Sequence, residues 1–192
     1  HLLILACKSE QLHVVLALHS FTLQHCQSVV LDRVTTCVCM DYLVRCGQMD
    51  HAQQLLQYQV NDGNKSVELV QIYMIGLIRQ RRPRQALKLF LQYYAYDDAE
   101  GQKTHVQAQP QLISGSFMQT VFSECIQIGY FKFVERILDV NSNHAIIRRW
   151  NVQMCNQLLN AFIENGRLWS AFEVFEYMCN YHKHQKQEEE SL

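Results

Sequence analysis

Residues 156–178 read "NQLLNAFIENGRLWSAFEVFEYM", two apolar stripes parted by a single Asn-Gly. Counting one residue further back, Cys155, Leu158, Leu159, Phe162 and Ile163 recur at spacings of three and four, which puts them on one face of a helix. Gly166 then ends that helix. Glycine takes the left-handed conformation at a helix C-terminus without steric cost, and Asn165 before it is a poor helix former. A second stripe follows at once: Leu168, Ala171, Phe172, Phe175 and Met178. The unit is a helical hairpin with too little apolar surface to be stable alone.

A unit unable to stand alone should recur. "VTTCVCMDYLVRCGQMDHAQQLLQYQ" (34–59) has the same grammar: a stripe, Cys46-Gly47 as the stop, then Met49, Ala52, Leu55 and Leu56. In "VELVQIYMIGLIRQRRPRQALKLFLQYY" (67–94) the glycine gives way to "RRP", and Pro83 falls near the first turn of a helix, where its missing N–H costs least. "SFMQTVFSECIQIGYFKFVERILDV" (116–140) supplies Gly129 as its stop, and "LILACKSEQLHVVLALHSF" near the start is a truncated copy. One slot in the second helix holds Val15, Ala52, Ala86, Val134 and Ala171, at successive spacings of 37, 34, 48 and 37 residues. Small residues there let the two helices of a hairpin approach closely. The long gap coincides with the polar stretch "YDDAEGQKTHVQAQPQLISGS", expected to be an inserted loop at 97–115. The expected array is a partial repeat at 1–28, repeats at 34–66, 67–96, 116–143 and 152–182, and a charged tail at 183–192. Because the chain opens at His1 in mid-pattern, it reads as a fragment of a longer one.

Bulk composition agrees with helix. The chain is 48% hydrophobic and 18% charged, which favours compact folding over disorder. Its 7 Gly and 2 Pro are too few for an all-β chain that turns every few residues. A formal net charge of −1 excludes a surface that is basic throughout, so any RNA contact should be local. No apolar run reaches the roughly 18 residues that span a bilayer. Cys7, Cys26, Cys37, Cys39, Cys46, Cys125, Cys155 and Cys179 lie mostly in apolar helical stripes and are read as buried, reduced thiols.

On these residues the chain resembles the pentatricopeptide repeat (PPR) family of helix–turn–helix repeats. The residues that carry the likeness are Asn156, Leu158 and Leu159, then Gly166-Arg167-Leu168 at the turn, then Ala171, Phe175 and Met178. The Trp, Gly-Tyr and Pro landmarks of the tetratricopeptide repeat are missing. The resemblance implies an all-α fold, an α-solenoid wound as a right-handed superhelix, whose first helices line a concave groove. It also implies RNA association in an organelle, here the mitochondrion. Each repeat would read one base through a residue early in its first helix and the last residue of the repeat.

The matching early positions are Cys37, Gln71, Gln119 and Asn156, and the last-residue position of the 34–66 repeat is Ser66. Asn156 alone is of the type that the base code commonly uses. Cysteine lacks the paired donor and acceptor that a base edge needs, and Gln is longer than the usual Asn, Ser or Thr. Contact with RNA is therefore expected mainly through its backbone. "RQRRPRQALK" gathers Arg79, Arg81, Arg82, Arg84 and Lys88 round one turn, either a phosphate-contacting edge or a solvated turn. Arg148 and Arg149 beside Trp150 form a smaller group that either touches RNA or caps and packs a helix.

Cys179, His182 and His184 are spaced unlike a zinc set, since residues two apart point to different sides of a helix, and Cys37 and Cys39 share that fault. The Asp residues are scattered, and no phosphate loop or nucleophile elbow is present. The expectation is a non-enzymatic chain without cofactor, metal or membrane. It would hold neighbouring proteins and rRNA through degenerate repeats in a mitochondrial ribonucleoprotein, foremost the mitochondrial ribosome. The alternative is a free, sequence-specific RNA-binding factor for processing, stability or translation of organellar transcripts.

Overall fold

The computed structural model describes residues 1–25, 31–61, 66–94, 113–144 and 151–189. The 97–115 insertion, apart from its last three residues, lies outside them, as do Cys26, Arg148, Arg149 and Trp150. Among the described residues the regular elements are α-helices, taken here as successive pairs. They are Leu2–Lys8 (α1) and Leu12–His25 (α2), Arg33–Arg45 (α3) and Met49–Asn61 (α4), Val67–Arg79 (α5) and Pro83–Tyr94 (α6), Gly115–Gln127 (α7) and Phe131–His144 (α8), and Val152–Glu164 (α9) and Leu168–Glu189 (α10). The all-α, helix–turn–helix reading holds.

Two compact units divide the chain, His1–Leu89 and Phe90–Leu192. In the first, α1 packs on α2 and α3, α3 on α4 and α5, and α4 on α5. In the second, α7 packs on α8 and α9, and α9 on α10. Within each unit the first helices of successive hairpins lie side by side, the layering that repeat stacking requires.

The turns share one backbone event. Gly47, Gly129 and Gly166 have φ of 73°, 70° and 68°, and Glu10 and Arg81 join them at 54° and 56°. Each stands five residues before a slot residue. The next residue sends its N–H back to a carbonyl five positions earlier: Gln11 to Ala6 at 3.1 Å, Gln48 to Leu43 at 2.8 Å, Arg82 to Leu77 at 2.8 Å, Tyr130 to Cys125 at 2.9 Å, and Arg167 to Phe162 at 2.8 Å. This bond satisfies a carbonyl that the helix end leaves without a partner. The stop in "RRP" is thus Arg81, in the backbone conformation glycine takes elsewhere, with Pro83 opening α6. Asn165 is the C-cap of α9, where its side-chain amide donates to the Ala161 carbonyl at 2.8 Å.

The slot residues are buried, and so are the side chains that join one hairpin to the next. Gly76 on α5 admits Val44 and Met49: a methyl added there would lie 2.5 Å from Val44 Cγ1 and 3.3 Å from Met49 Sδ. Phe131 meets Phe162 with ring centroids 5.7 Å apart. His19 meets His51 at 5.6 Å and Phe90 meets Phe133 at 6.1 Å. In both pairs the fourth residue after one slot touches the residue just before the next. Cys7, Cys39, Cys125 and Cys155 are buried free thiols, Cys37 and Cys46 are half-buried, and Cys179 is exposed. Burial pushes Cys39 and Cys125 up to about 12 and Cys155 to about 11, so these sulfurs stay protonated.

The apolar stripes of residues 155–178 are corrected by the structure. In α9 Met154, Cys155, Leu158, Ala161 and Phe162 are buried, but Ile163 is 55% exposed. In α10 Ser170, Ala171 and Val174 are buried, whereas Leu168, Phe172 and Phe175 are 67%, 55% and 54% exposed. Leu159 and Met178 are half-buried. A stacked hairpin has two apolar sides, one for its partner helix and the preceding hairpin, one for a following hairpin. Periodicity merges them into a single stripe.

Gly166→Ala should destabilise by about 1 kcal/mol in denaturant unfolding, because nothing crowds the added Cβ and the backbone conformation alone is penalised. Arg81→Gly should shift stability by about 0.5–1 kcal/mol the other way. His19 is buried with neither ring nitrogen hydrogen-bonded, and desolvation, reinforced by the charge of His51, lowers its pKa from 6.5 to about 4. Below 6.5 the unfolded chain takes up a proton that the folded chain refuses, so stability should fall by about 3 kcal/mol as pH drops through that window and level off near the folded pKa. Thermal melts of His19→Leu should lack this component of the pH slope.

Candidate nucleic-acid interface

The basic turn between α5 and α6 belongs to the His1–Leu89 unit. Arg79 ends α5, Arg81 is the left-handed residue, Arg82 supplies the closing N–H, and Arg84 and Lys88 lie in the first turns of α6. All five side chains are exposed. Among the described residues no ion pair engages Arg81, Arg82, Arg84 or Lys88. The contrast with Arg167 at the α9 turn is informative: its guanidinium donates to Glu135 Oε1 at 2.6 Å and lies 5.1 Å from the centre of the Phe131 ring. Arg167 joins hairpins, while the α5–α6 turn keeps its positive charge available to solvent. Arg148 and Arg149 lie outside the described residues.

Cys37, Gln71, Gln119 and Asn156 all stand fifteen residues before a slot, one on each of α3, α5, α7 and α9. Since α3 packs on α5 and α7 on α9, the structure places Cys37 and Gln71 on adjacent first helices in one unit, and Gln119 and Asn156 likewise in the other. Asn156 is exposed and the other three are half-buried. Burial first, then the negative charge of Glu68, raises the pKa of the Cys37 thiol. Cys37 therefore offers a thiol, a weak S–H donor and a weak sulfur acceptor. Beside it Arg33 and Glu68 form a forked ion pair from α3 to α5, with Nε to Oε2 at 2.7 Å.

Ser66 is the N-cap residue of α5. The equivalent residues are Asp32, Ser114 and Asn151, each an N-cap and each twenty residues before a slot. Ser114 and Asn151 stand at the same offset as Ser66 and were not named from the sequence, although that constant offset marks them. Their side chains are engaged in starting helices: Ser114 Oγ accepts from the Phe117 N–H at 3.3 Å, and Asn151 Oδ1 from the Met154 N–H at 2.8 Å. Asn151 Nδ2 also donates to Gln119 Oε1 at 3.4 Å, so one early position and the last residue of its own repeat are bonded to each other.

Among the described residues, no three His, Cys, Asp or Glu side chains group so as to hold a metal ion, and no helix is long and apolar enough to cross a membrane. The family model of the PPR repeat matches residues 153–181, the α9–α10 hairpin. A search of curated proteins gives no match. The matched hairpin carries the repeat of an RNA-associated helical class, and the likeness of the whole chain to PPR proteins rests on it.

Asn151→Ala should lower unfolding stability by about 1 kcal/mol through loss of the cap, whereas Gln119→Ala should change it by less than about 0.5 kcal/mol. Denaturant titration of the two variants tests whether the paired position is spent on the helix start.

Proposed function

We infer that the chain is a scaffold component of a mitochondrial ribonucleoprotein, foremost a mitochondrial ribosome subunit, which meets rRNA through its backbone and neighbouring proteins through its helices. The observation that carries this reading is the contrast between two sets of side chains. The α5–α6 turn presents exposed arginines and a lysine, suited to phosphate. Among the early and last positions, Cys37 is a thiol whose pKa burial raises, Gln71 and Gln119 are long amides, and Ser114 and Asn151 are engaged in capping, whereas Ser66 makes no side-chain cap bond and Asn156 is exposed. Phosphate contacts position a protein without reading sequence, and base contacts are what specify. No catalytic role is part of this reading.

Asn156 favours a second reading, a free factor for organellar transcripts. It is exposed at the early position of the one hairpin that the PPR model matches. Filter binding to a random RNA pool separates the two. Comparable affinity across unrelated RNAs, with co-sedimentation on mitochondrial ribosomal particles, is expected of the scaffold; enrichment of one short single-stranded sequence would overturn it in favour of the factor. Replacing Arg82, Arg84 and Lys88 together by Ala should weaken all RNAs alike. It should also flatten the dependence of log K on log salt by about 0.7 for each phosphate no longer neutralised.

A further inference from the structure

Two arginines show how this chain holds a guanidinium. Arg167 lies 5.1 Å from the centre of the Phe131 ring and donates to Glu135 Oε1 at 2.6 Å, and Phe131 and Glu135 stand four residues apart on α8. Arg45 lies 5.7 Å from the centre of the Tyr42 ring and donates to Asp41 Oδ2 at 3.0 Å. In each case an aromatic face takes the flat cation while a carboxylate takes its N–H groups, a combination that suits arginine better than lysine.

Trp169 and Glu173 repeat the Phe131–Glu135 spacing on α10. The indole Nε1 donates to Glu173 Oε1 at 3.0 Å, which sets ring and carboxylate side by side, and Glu176 follows one turn further along the same face. Trp169 is 74% exposed, and among the described residues no ion pair engages Glu173 or Glu176. That exposure belongs to the register of the repeat. Two residues before the slot the other second helices carry His13, Asp50, Arg84 and Lys132, all exposed. Asp50 belongs to a hairpin whose first helix packs on both α1 and α5, so neighbouring hairpins do not cover this position.

We propose that Trp169, Glu173 and Glu176 bind an arginine-bearing segment of another protein, with a guanidinium stacked on the indole and its N–H groups on the carboxylates. No basic residue stands between Leu168 and Cys179 to supply that cation from the same stretch of helix. Protein suits the site better than RNA, because a phosphate backbone would approach two carboxylates, whereas arginine satisfies both the ring and the charge. The proposal names a partner for the protein-holding part of the scaffold reading and rests on that reading for its setting alone.

Fluorescence anisotropy of a labelled peptide of alternating arginine and glycine, titrated with the purified chain, tests this. The matched lysine and glycine peptide and a single-stranded RNA of mixed sequence serve as comparators. The arginine peptide is expected to bind about tenfold more tightly than the lysine peptide, since guanidinium alone combines stacking with forked hydrogen bonding. Trp169→Ala and Glu173→Gln should each weaken the arginine peptide by about fivefold or more and leave RNA binding unchanged. Trp169→Phe should keep part of the affinity, because a phenyl face still attracts the cation. Neither residue is buried, so circular dichroism melts of the variants should match the unaltered chain. Equal affinity for the two peptides, arginine-peptide binding that Trp169→Ala leaves intact, or a loss at Trp169→Ala that falls on RNA instead would each overturn the proposal, the last in favour of base stacking. These readouts involve neither ribosomal particles nor the α5–α6 turn, so they can fail while the scaffold reading stands.

Discussion

The bond from the residue after each left-handed position back to the carbonyl five residues earlier is the constraint on which the rest depends. It ends the first helix, satisfies a carbonyl that would otherwise lack a partner, and fixes where the second helix begins. Because it recurs at one offset from the slot, every later distance is inherited from it. The slot residues are all buried, and the N-caps of α3, α5, α7 and α9 all fall twenty residues before them. Glu10 and Arg81 adopt the conformation although a β-carbon disfavours it, so the hydrogen-bonded closure, more than the presence of glycine, defines the turn.

From that fixed register follows the division of each hairpin into a receiving and a forward side. Close approach is the rule at the junctions. Gly76 has no room for even one methyl group beside Val44, and the buried phenyl rings of Phe131 and Phe162 meet across a junction where the neighbouring residue is Ala161. Polar bonds then set alignment, as with Glu135, which holds both Arg167 and Ser170. The paired histidines in the first unit are a departure, since an apolar pair at that junction would avoid burying three ring nitrogens without partners, both of His19 and Nδ1 of His51.

Much of this order was legible in the sequence. Stop and slot residues announced the hairpins, and the glycine-free turn was still placed by Ala86 and Pro83. What periodicity could not supply was the assignment of an apolar residue to one side of the hairpin or the other. Phe162 and Ile163 are adjacent and similar in hydropathy, yet the first is buried and the second exposed, because only the first faces the preceding hairpin. The polar register was legible in part. Ser66 came from the family resemblance, but Ser114 and Asn151 were hidden behind their ordinary look as helix starters.

That ordinary look bears directly on function. A residue that caps a helix must hold its side-chain oxygen against the backbone N–H three residues on, while a residue that reads a base must aim the same atoms outward. Asn151 illustrates the conflict, with its oxygen on Met154 and its amide on Gln119. A nucleotide would have to displace both bonds to gain two of similar strength, which leaves little free energy for discriminating among bases. Charge on the α5–α6 turn faces no such competition, since among the described residues no carboxylate claims Arg81, Arg82 or Arg84. The same chain thus commits the polar side chains of Ser114 and Asn151 to starting helices while it leaves the guanidinium groups of Arg81, Arg82 and Arg84 exposed.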